Sequence, residues 1–448
     1  MLTKLKFNKY IFYIIVHLIL GALATGIPFI TKLISPLLVV VGVYYILKTK
    51  DNNNQALFFA AYVCGIDVFL RMTGGSFFNE YAKYTISLFC FLGILFHPVK
   101  GEKIIFIILL LLLVPGIFIG LIESNFTTDL RKSMMFNLSG EFCLLASCLY
   151  TINKRITYSQ LINLVYVIGL PILSIVTFVI FKTTDNSALT LGTNSNFATS
   201  GGFGPNQVST ILGLGTFCFF SLFFLKKSNF IEKYLYLILG IVCAFRGVIT
   251  FSRGGMICGG IMIIVLLAYI FLFSNDKAKF RVILYGILGF IGFLLFWTYT
   301  SFSTEGLIDK RYNNQDAIGR VKESTLTGRE ILIETEWNQF LDNPILGVGV
   351  GRNKELRFEE IGIQAASHNE ISRLLAEHGS FGLIYLIVIL SLPFLLWINN
   401  KQHILLFSFY IFWLLTINHA AMRTAAPAFI YALCLLKVYI PIPKLKEK

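Results

Sequence analysis

The chain has 448 residues, of which 56% are hydrophobic and 14% charged, with a mean hydropathy of +0.73. A soluble globular domain carries about a quarter charged residues, so that class is excluded and a polytopic helical membrane protein is expected. The net charge of +14 would suit nucleic acid, but the lysines mark one side of a membrane, so no nucleic-acid partner is expected.

Lys4, Lys6 and Lys9 precede an apolar run from Tyr10 to about Ile27. It resembles a signal peptide, with Ala22-Leu23-Ala24 mimicking a cleavage site, but further apolar runs follow and an uncleaved first span is expected. More spans are expected over about 33–47, 55–70, 81–96, 104–122, 136–152, 160–181, 208–225, 234–252, 255–273, 282–298, 381–398, 404–418 and 425–440. The fold class is therefore an all-α polytopic membrane protein of about 12–14 transmembrane helices with one large, mostly helical outward loop. A barrel would show ten-residue alternation instead. The expected organisation is a bundle of about 11 spans over 1–298, a loop over 299–379, and about three spans with a basic tail over 380–448.

With the N-terminus in the cytoplasm and sides alternating, the inward breaks hold 20 basic and 5 acidic residues, as the positive-inside rule requires. The C-terminal tail then also lies inside. The stretch from Trp297 to Gly379 carries 13 acidic and 9 basic side chains, a net of −4, and is expected to face outward. Eight cysteines scattered through apolar segments show neither a disulfide framework nor a metal spacing.

Asp67 and Arg71 are four apart at the outer end of the third span and are expected to form an i,i+4 pair. Gly201 to Gln207 is a Gly-rich turn with Asn206 and Gln207 at the mouth of a helix, where backbone N–H groups can meet an anion or simply turn the chain. Ser252-Arg253-Gly254-Gly255 closes the ninth span. Arg246 lies seven residues earlier, on the same helix face if the helix continues. An arginine inside hydrocarbon is costly and usually lines a functional cavity, so the two are read as an anion site.

In the loop, Gly328-Arg329 opens an amphipathic pattern with Ile333, Trp337, Phe340 and Leu341 on one face, ended by Asn343-Pro344 and followed by Leu346 to Gly351. Ser367 and Glu370 are spaced as a capping box, which predicts a helix beginning at His368 and stopping at Gly379. His368 and Asn369 then lie at its positive end.

These pieces, in this order, resemble the family of O-antigen ligases and O-antigen polymerases, over roughly residues 195 to 385. The shared features are Ser252-Arg253-Gly254, Arg329, Trp337, Pro344, Gly347 and Gly349, and His368-Asn369 with Gly379 beyond. The resemblance implies a membrane glycosyltransferase of the bacterial inner membrane that moves a glycan from undecaprenyl diphosphate to an acceptor hydroxyl, with inversion. It makes 299–379 the periplasmic catalytic loop. It implies His368 as general base and Arg253 and Arg329 as stabilisers of the diphosphate, with Arg246, Asn206, Asn369 and Arg71 as further substrate contacts. No cofactor or metal is expected. The partners implied are the lipid-linked donor, a lipid A-core or glycan acceptor, membrane lipids and other polysaccharide-assembly proteins. Fourteen spans exceed the family's usual twelve, and the Arg-x10-Gly repeats of some polymerases are absent, which tilts the acceptor toward the ligase type. A polymerase remains the alternative. So does a flippase of lipid-linked sugar, which would leave a large loop with a histidine at its helix start unexplained.

Overall fold

The computed structural model describes residues 9–97, 101–123, 128–183, 192–322 and 328–441. Thirteen of the fourteen expected runs coincide with a helix. These are α1 (Lys9–Gly26), α2 (Phe29–Thr49), α3 (Gln55–Met72), α4 (Tyr81–Leu95), α5 (Ile104–Ile122), α6 (Thr128–Thr151), α7 (Tyr158–Lys182), α8 (Pro205–Leu225), α9 (Phe230–Ile249), α10 (Arg253–Phe273) and α11 (Asp276–Ser303). The loop adds α12 (Leu307–Tyr312), α13 (Arg329–Asp342) and α14 (Asn353–Ile361), and α15 (Glu370–Trp397), α16 (Leu406–His419) and α17 (Ala426–Leu433) follow. Among the described residues, nine of the helices are long and apolar enough to cross a membrane, and α4 and α16 are shorter apolar helices. The protein is an all-α polytopic membrane protein.

One expected span is corrected. The run over 425–440 holds only the eight residues of α17 as helix, and Lys437–Tyr439 then forms a short strand, β2, parallel to β1 (Arg155–Thr157). Every residue of α17 is buried, so it is enclosed by protein and need not meet the ~20-residue length that lipid imposes. By contrast α11, 28 residues long, buries only Thr300 and presents its apolar surface outward.

The breaks between helices sort onto two ends. At one end Asp51 accepts from Lys154 Nζ (3.0 Å) and Tyr150 Oη (2.7 Å), Arg155 registers with Lys437 in the two-stranded sheet, and Tyr269 Oη donates to the Lys401 carbonyl (2.7 Å). These are the lysine-bearing breaks. At the other end Arg71 donates to the Arg423 carbonyl (2.7 Å), Ser252 Oγ to Asn206 Oδ1 (2.7 Å) and Asn369 Nδ2 to Asn418 Oδ1 (3.1 Å). The charged loop lies here.

The second end is organised by a break in α15. Gly379 has φ 57° and ψ −134°, a conformation reserved for glycine, and its Cβ position lies 2.6 Å from the Ile345 carbonyl. The break frees the carbonyls of Ala376 and Glu377, which accept from Val348 N (2.8 Å) and Gly349 N (3.2 Å), while Ser380 N turns to the Ile345 carbonyl (3.1 Å). The Gly-Val-Gly-Val-Gly run is thereby threaded between α15 and α5, where Val350 N donates to the Gly116 carbonyl (2.9 Å). Gly349 and Gly120 approach so closely that a Cβ on Gly349 would lie 2.4 Å from Gly120 N.

Buried ion pairs complete the scaffold. Arg357 Nη2 meets Glu336 Oε1 at 2.6 Å with both side chains wholly buried. The other Glu336 oxygen accepts from Ser372 Oγ (2.5 Å) and Ser367 Oγ (3.2 Å). Further in, Arg373 meets Glu377 (2.6 Å), Glu141 (3.0 Å) and Glu370. These bonds join α13, α14, α6 and the start of α15.

The same bonds decide which face of α13 turns inward. Leu332, Thr335, Glu336 and Gln339 are buried, whereas Trp337 and Leu341 are 48% and 57% exposed. The polar residues win the inner face because their partners are inside.

Two outcomes follow. Gly379→Ala should destabilise the protein by about 1–3 kcal/mol for the backbone conformation alone, with the Cβ overlap adding to it, read as a lowered melting temperature in detergent. Arg357→Ala leaves the Glu336 carboxylate buried without its cation, and should cost about 3–5 kcal/mol by the same measurement.

Candidate active site

The turn that closes α9 sets the first arginine. Phe251 has φ 57°, so α9 ends at Ile249 and Arg253 opens a new helix. The expectation that Arg246 and Arg253 share one face fails for this reason. Arg246 reaches Thr183 Oγ1 (3.5 Å), whereas Arg253 donates to the Arg311 carbonyl (3.3 Å). The glycines after Arg253 are dictated by close approach: a Cβ on Gly254 would lie 2.5 Å from the His419 ring, and one on Gly255 2.3 Å from Thr210 N.

Arg329 opens α13 and donates to the His419 carbonyl (2.9 Å). His419 in turn donates from Nδ1 to the Leu415 carbonyl (2.8 Å), and its Nε2 lies 3.3 Å from Thr210 Oγ1. His368 sits across the same turn, its carbonyl accepting from Ala421 N (3.1 Å). Thus Arg329 and His368 meet on the 419–423 turn, and Arg253, 115 positions from His368 in the chain, comes beside it through Gly254, which abuts the His419 ring.

Two cations join them that spacing did not single out. Arg311, on α12, donates to the Phe251 carbonyl (2.9 Å), and α12 is anchored to α11 by Trp297 Nε1 on Asp309 (2.7 Å). Arg423 donates from Nη2 to the Ser367 carbonyl (3.2 Å) and to His368 Nε2 (3.1 Å). A guanidinium only donates, so the ring nitrogen facing it carries the lone pair and the proton of the neutral ring sits on Nδ1. Arg71 bonds the Arg423 carbonyl and lies 5.7 Å over the Phe203 ring. The expected Asp67–Arg71 pair is replaced by a shared task, since Asp67 accepts from Ala425 N (3.0 Å) and both brace that turn.

The electrostatics follow from burial among like charges. Burial first, then Arg423, Arg329 and His419, pull the His368 imidazole down to about 3. Arg423 is lowered to about 10 by burial, Arg329 and Arg71. Burial and the neighbouring Arg253 also lower Arg329 and Arg311. The buried positive charges raise one another's cost, which a neighbouring anion would relieve.

The expected capping box is corrected here. Asn369 is the N-cap of α15, its Oδ1 accepting from Ile371 N (2.9 Å) and Ser372 N (3.2 Å), and the helix starts at Glu370. Ser367 Oγ instead donates to Glu336, and Glu370 pairs with Arg373. His368 therefore precedes the helix, and burial and arginines rather than the dipole keep it neutral. Asn206 is likewise engaged, its side-chain oxygen holding Ser252 Oγ.

No curated protein matches the chain significantly. Residues 235–387 match the family described as O-antigen ligase. That span holds Arg253, Arg311, Arg329 and His368, while Arg71, Asn206, His419 and Arg423 reach the same site from outside it. Over residues 235–387 the chain is similar to the O-antigen ligase family.

Proposed function

We propose that the protein is a glycosyltransferase of the O-antigen ligase type, transferring a glycan from undecaprenyl diphosphate to a hydroxyl of a lipid A-core acceptor at the outer face of the inner membrane. The observation that carries this reading is a run of neighbouring guanidinium groups, Arg423 against His368, Arg329 on the same 419–423 turn, and Arg253 and Arg311 beside Arg329. A diphosphate leaving group gathers negative charge in the transition state, and fixed guanidinium forks suit its oxygens. The lysine-rich helix ends, on the side away from the arginine cluster, support a cytoplasmic side there and an outward-facing site.

Arg423 gives the base a switch. In the unliganded site it occupies the His368 lone pair and, with Arg329, depresses the ring's basicity. A bound diphosphate would draw Arg423 to its own oxygens and offset the positive field. The lone pair is then released and its basicity rises toward the ordinary value near 6.5, where a histidine takes a hydroxyl proton efficiently. The acceptor oxygen attacks the anomeric carbon as His368 accepts its proton, and undecaprenyl diphosphate leaves from the opposite face. No step calls for a metal, and added chelator should leave transfer intact.

His368→Ala should reduce transfer to background in protein inserted at normal levels. Arg253→Lys, which keeps the charge and loses the fork, should lower turnover by about 100-fold. Lowering pH protonates the base and slows transfer. Because kcat/KM reports the free enzyme, its acid limb should lie below pH 5, whereas that of kcat, which reports the donor complex, should lie higher. Arg423→Gln should move the free-enzyme limb upward while lowering kcat. An acid limb of kcat/KM near pH 6.5 in the unaltered protein would contradict the switch.

The acceptor is tested by the lipopolysaccharide banding of a deletion strain. Loss of all long chains supports the ligase reading, a single repeat unit indicates a polymerase, and unchanged bands indicate another polymer.

A further inference from the structure

At the end of the bundle opposite the arginine cluster lies a cavity of about 790 Å³. The separation follows from two helices. Asn54, just before α3, borders the cavity and Arg71 at the far end of α3 borders the candidate active site; Asn399, beyond α15, borders the cavity and His368 precedes α15. About 25 Å of helix separates the two sites along α3.

Four cations line it: Lys103, Lys154, Arg155 and Lys437, with Glu102 as the lining carboxylate. Lys154 is held at 3.0 Å by the buried Asp51, and its amine stands 4.3 Å over the Tyr150 ring. Arg155 lies 5.1 Å over the Tyr439 ring. Arg155 and Lys437 are solvent-exposed and adjacent in register across the β1–β2 pair, so the sheet sets two cations side by side. The walls are fixed by backbone: Lys437 N donates to the Lys154 carbonyl (2.9 Å) and Asn153 N to the Leu435 carbonyl (3.0 Å).

One wall is apolar. Leu395 and Leu396, at the end of the lipid-length helix α15, face the cavity, and Leu395 is 61% exposed. On the far side Ile104 opens α5 with its side chain outward. A basic recess that opens between the ends of membrane helices, with an apolar side wall, has the chemistry of a phospholipid headgroup site. The cations meet the phosphate and the leucines meet the first methylenes of the chains.

We propose that this cavity binds the headgroup of an anionic phospholipid from the leaflet on the lysine-rich side. It is distinct from the donor site and stands whether or not the transfer reaction is assigned correctly. Binding there would fasten β1, β2 and the ends of α6 and α15 together.

The test is native mass spectrometry of the full chain, delipidated in detergent and titrated with phosphatidylglycerol, phosphatidylcholine or sn-glycerol 1-phosphate. One phosphatidylglycerol should be retained in preference to phosphatidylcholine. The R155Q/K437Q double variant should bind it about 25-fold more weakly, as the loss of two cations near a membrane surface implies, and R155K/K437R should retain it. Asn399→Trp, an exposed change at the mouth, should also weaken retention and serves if the neutral pair fails to fold. Equal retention of phosphatidylcholine, or undiminished binding by the folded double variant and by Asn399→Trp, overturns the proposal. Glycerol phosphate binding as tightly as the lipid overturns the lipid as its source. Wild-type lipid retention in a His368→Ala protein that no longer transfers glycan separates this site from the proposed reaction.

Discussion

The positive charge at the loop end of the bundle is held in place without being cancelled. Arg71, Arg311, Arg329 and Arg423 take backbone carbonyls as partners, those of Arg423, Phe251, His419 and Ser367 respectively. Among the described residues none of these four forms an ion pair. A carbonyl fixes the direction of a guanidinium while leaving its field intact, so the site keeps both geometry and potential. Four buried carboxylates nearby are committed elsewhere, Glu336 to Arg357, and Glu370, Glu377 and Glu141 to Arg373. Two sets of charges thus lie side by side with different fates. The inner set is paired and binds the helices together, and the outer set keeps the positive charge that the proposed diphosphate site requires.

This division depends on the break at Gly379. An uninterrupted helix would use its own carbonyls at Ala376 and Glu377, and the glycine run at 347–351 would have no edge to bond. The break supplies that edge, the run seats the loop against α5, and α13 and α14 then meet the first turns of α15. Ser367, the residue before His368, is fixed by Glu336 from α13. The imidazole is therefore positioned by a chain of contacts that begins eleven residues away, at Gly379, in a conformation open only to glycine.

Hydrophobic run length made the helices legible in the sequence, because lipid enforces that length. It misled at α17, where protein encloses the helix and the constraint lapses. Arg253, Arg329 and His368 were legible through local patterns: a glycine turn, a helix start, and a polar pair before an apolar stripe. Arg311 was not, since it is placed by a carbonyl from a distant element and nothing in its own neighbourhood marks it; His419 and Arg423 were visible in the last outward turn, but their spacing did not decide whether they line the site. The choice of Asn369 over Ser367 as N-cap was equally hidden. Either side chain can cap, and the decision fell to Glu336, which claims the serine hydroxyl. The sequence pattern showed the apolar face of α13 but not that its polar face turns inward, as polar residues go inside only when their partners are already there.

The enclosure of α17 also bears on how the protein is built. Eight residues cannot stabilise themselves in hydrocarbon as an independent insertion unit. The segment must be taken up into a groove prepared by α6 and α16, its nearest neighbours. Its carboxyl side is then latched by strand pairing to residues translated some 280 positions earlier. Maturation of the bundle is therefore finished from its C-terminal end. Quality control acting on a stalled or clipped chain would meet a molecule with its central groove still open.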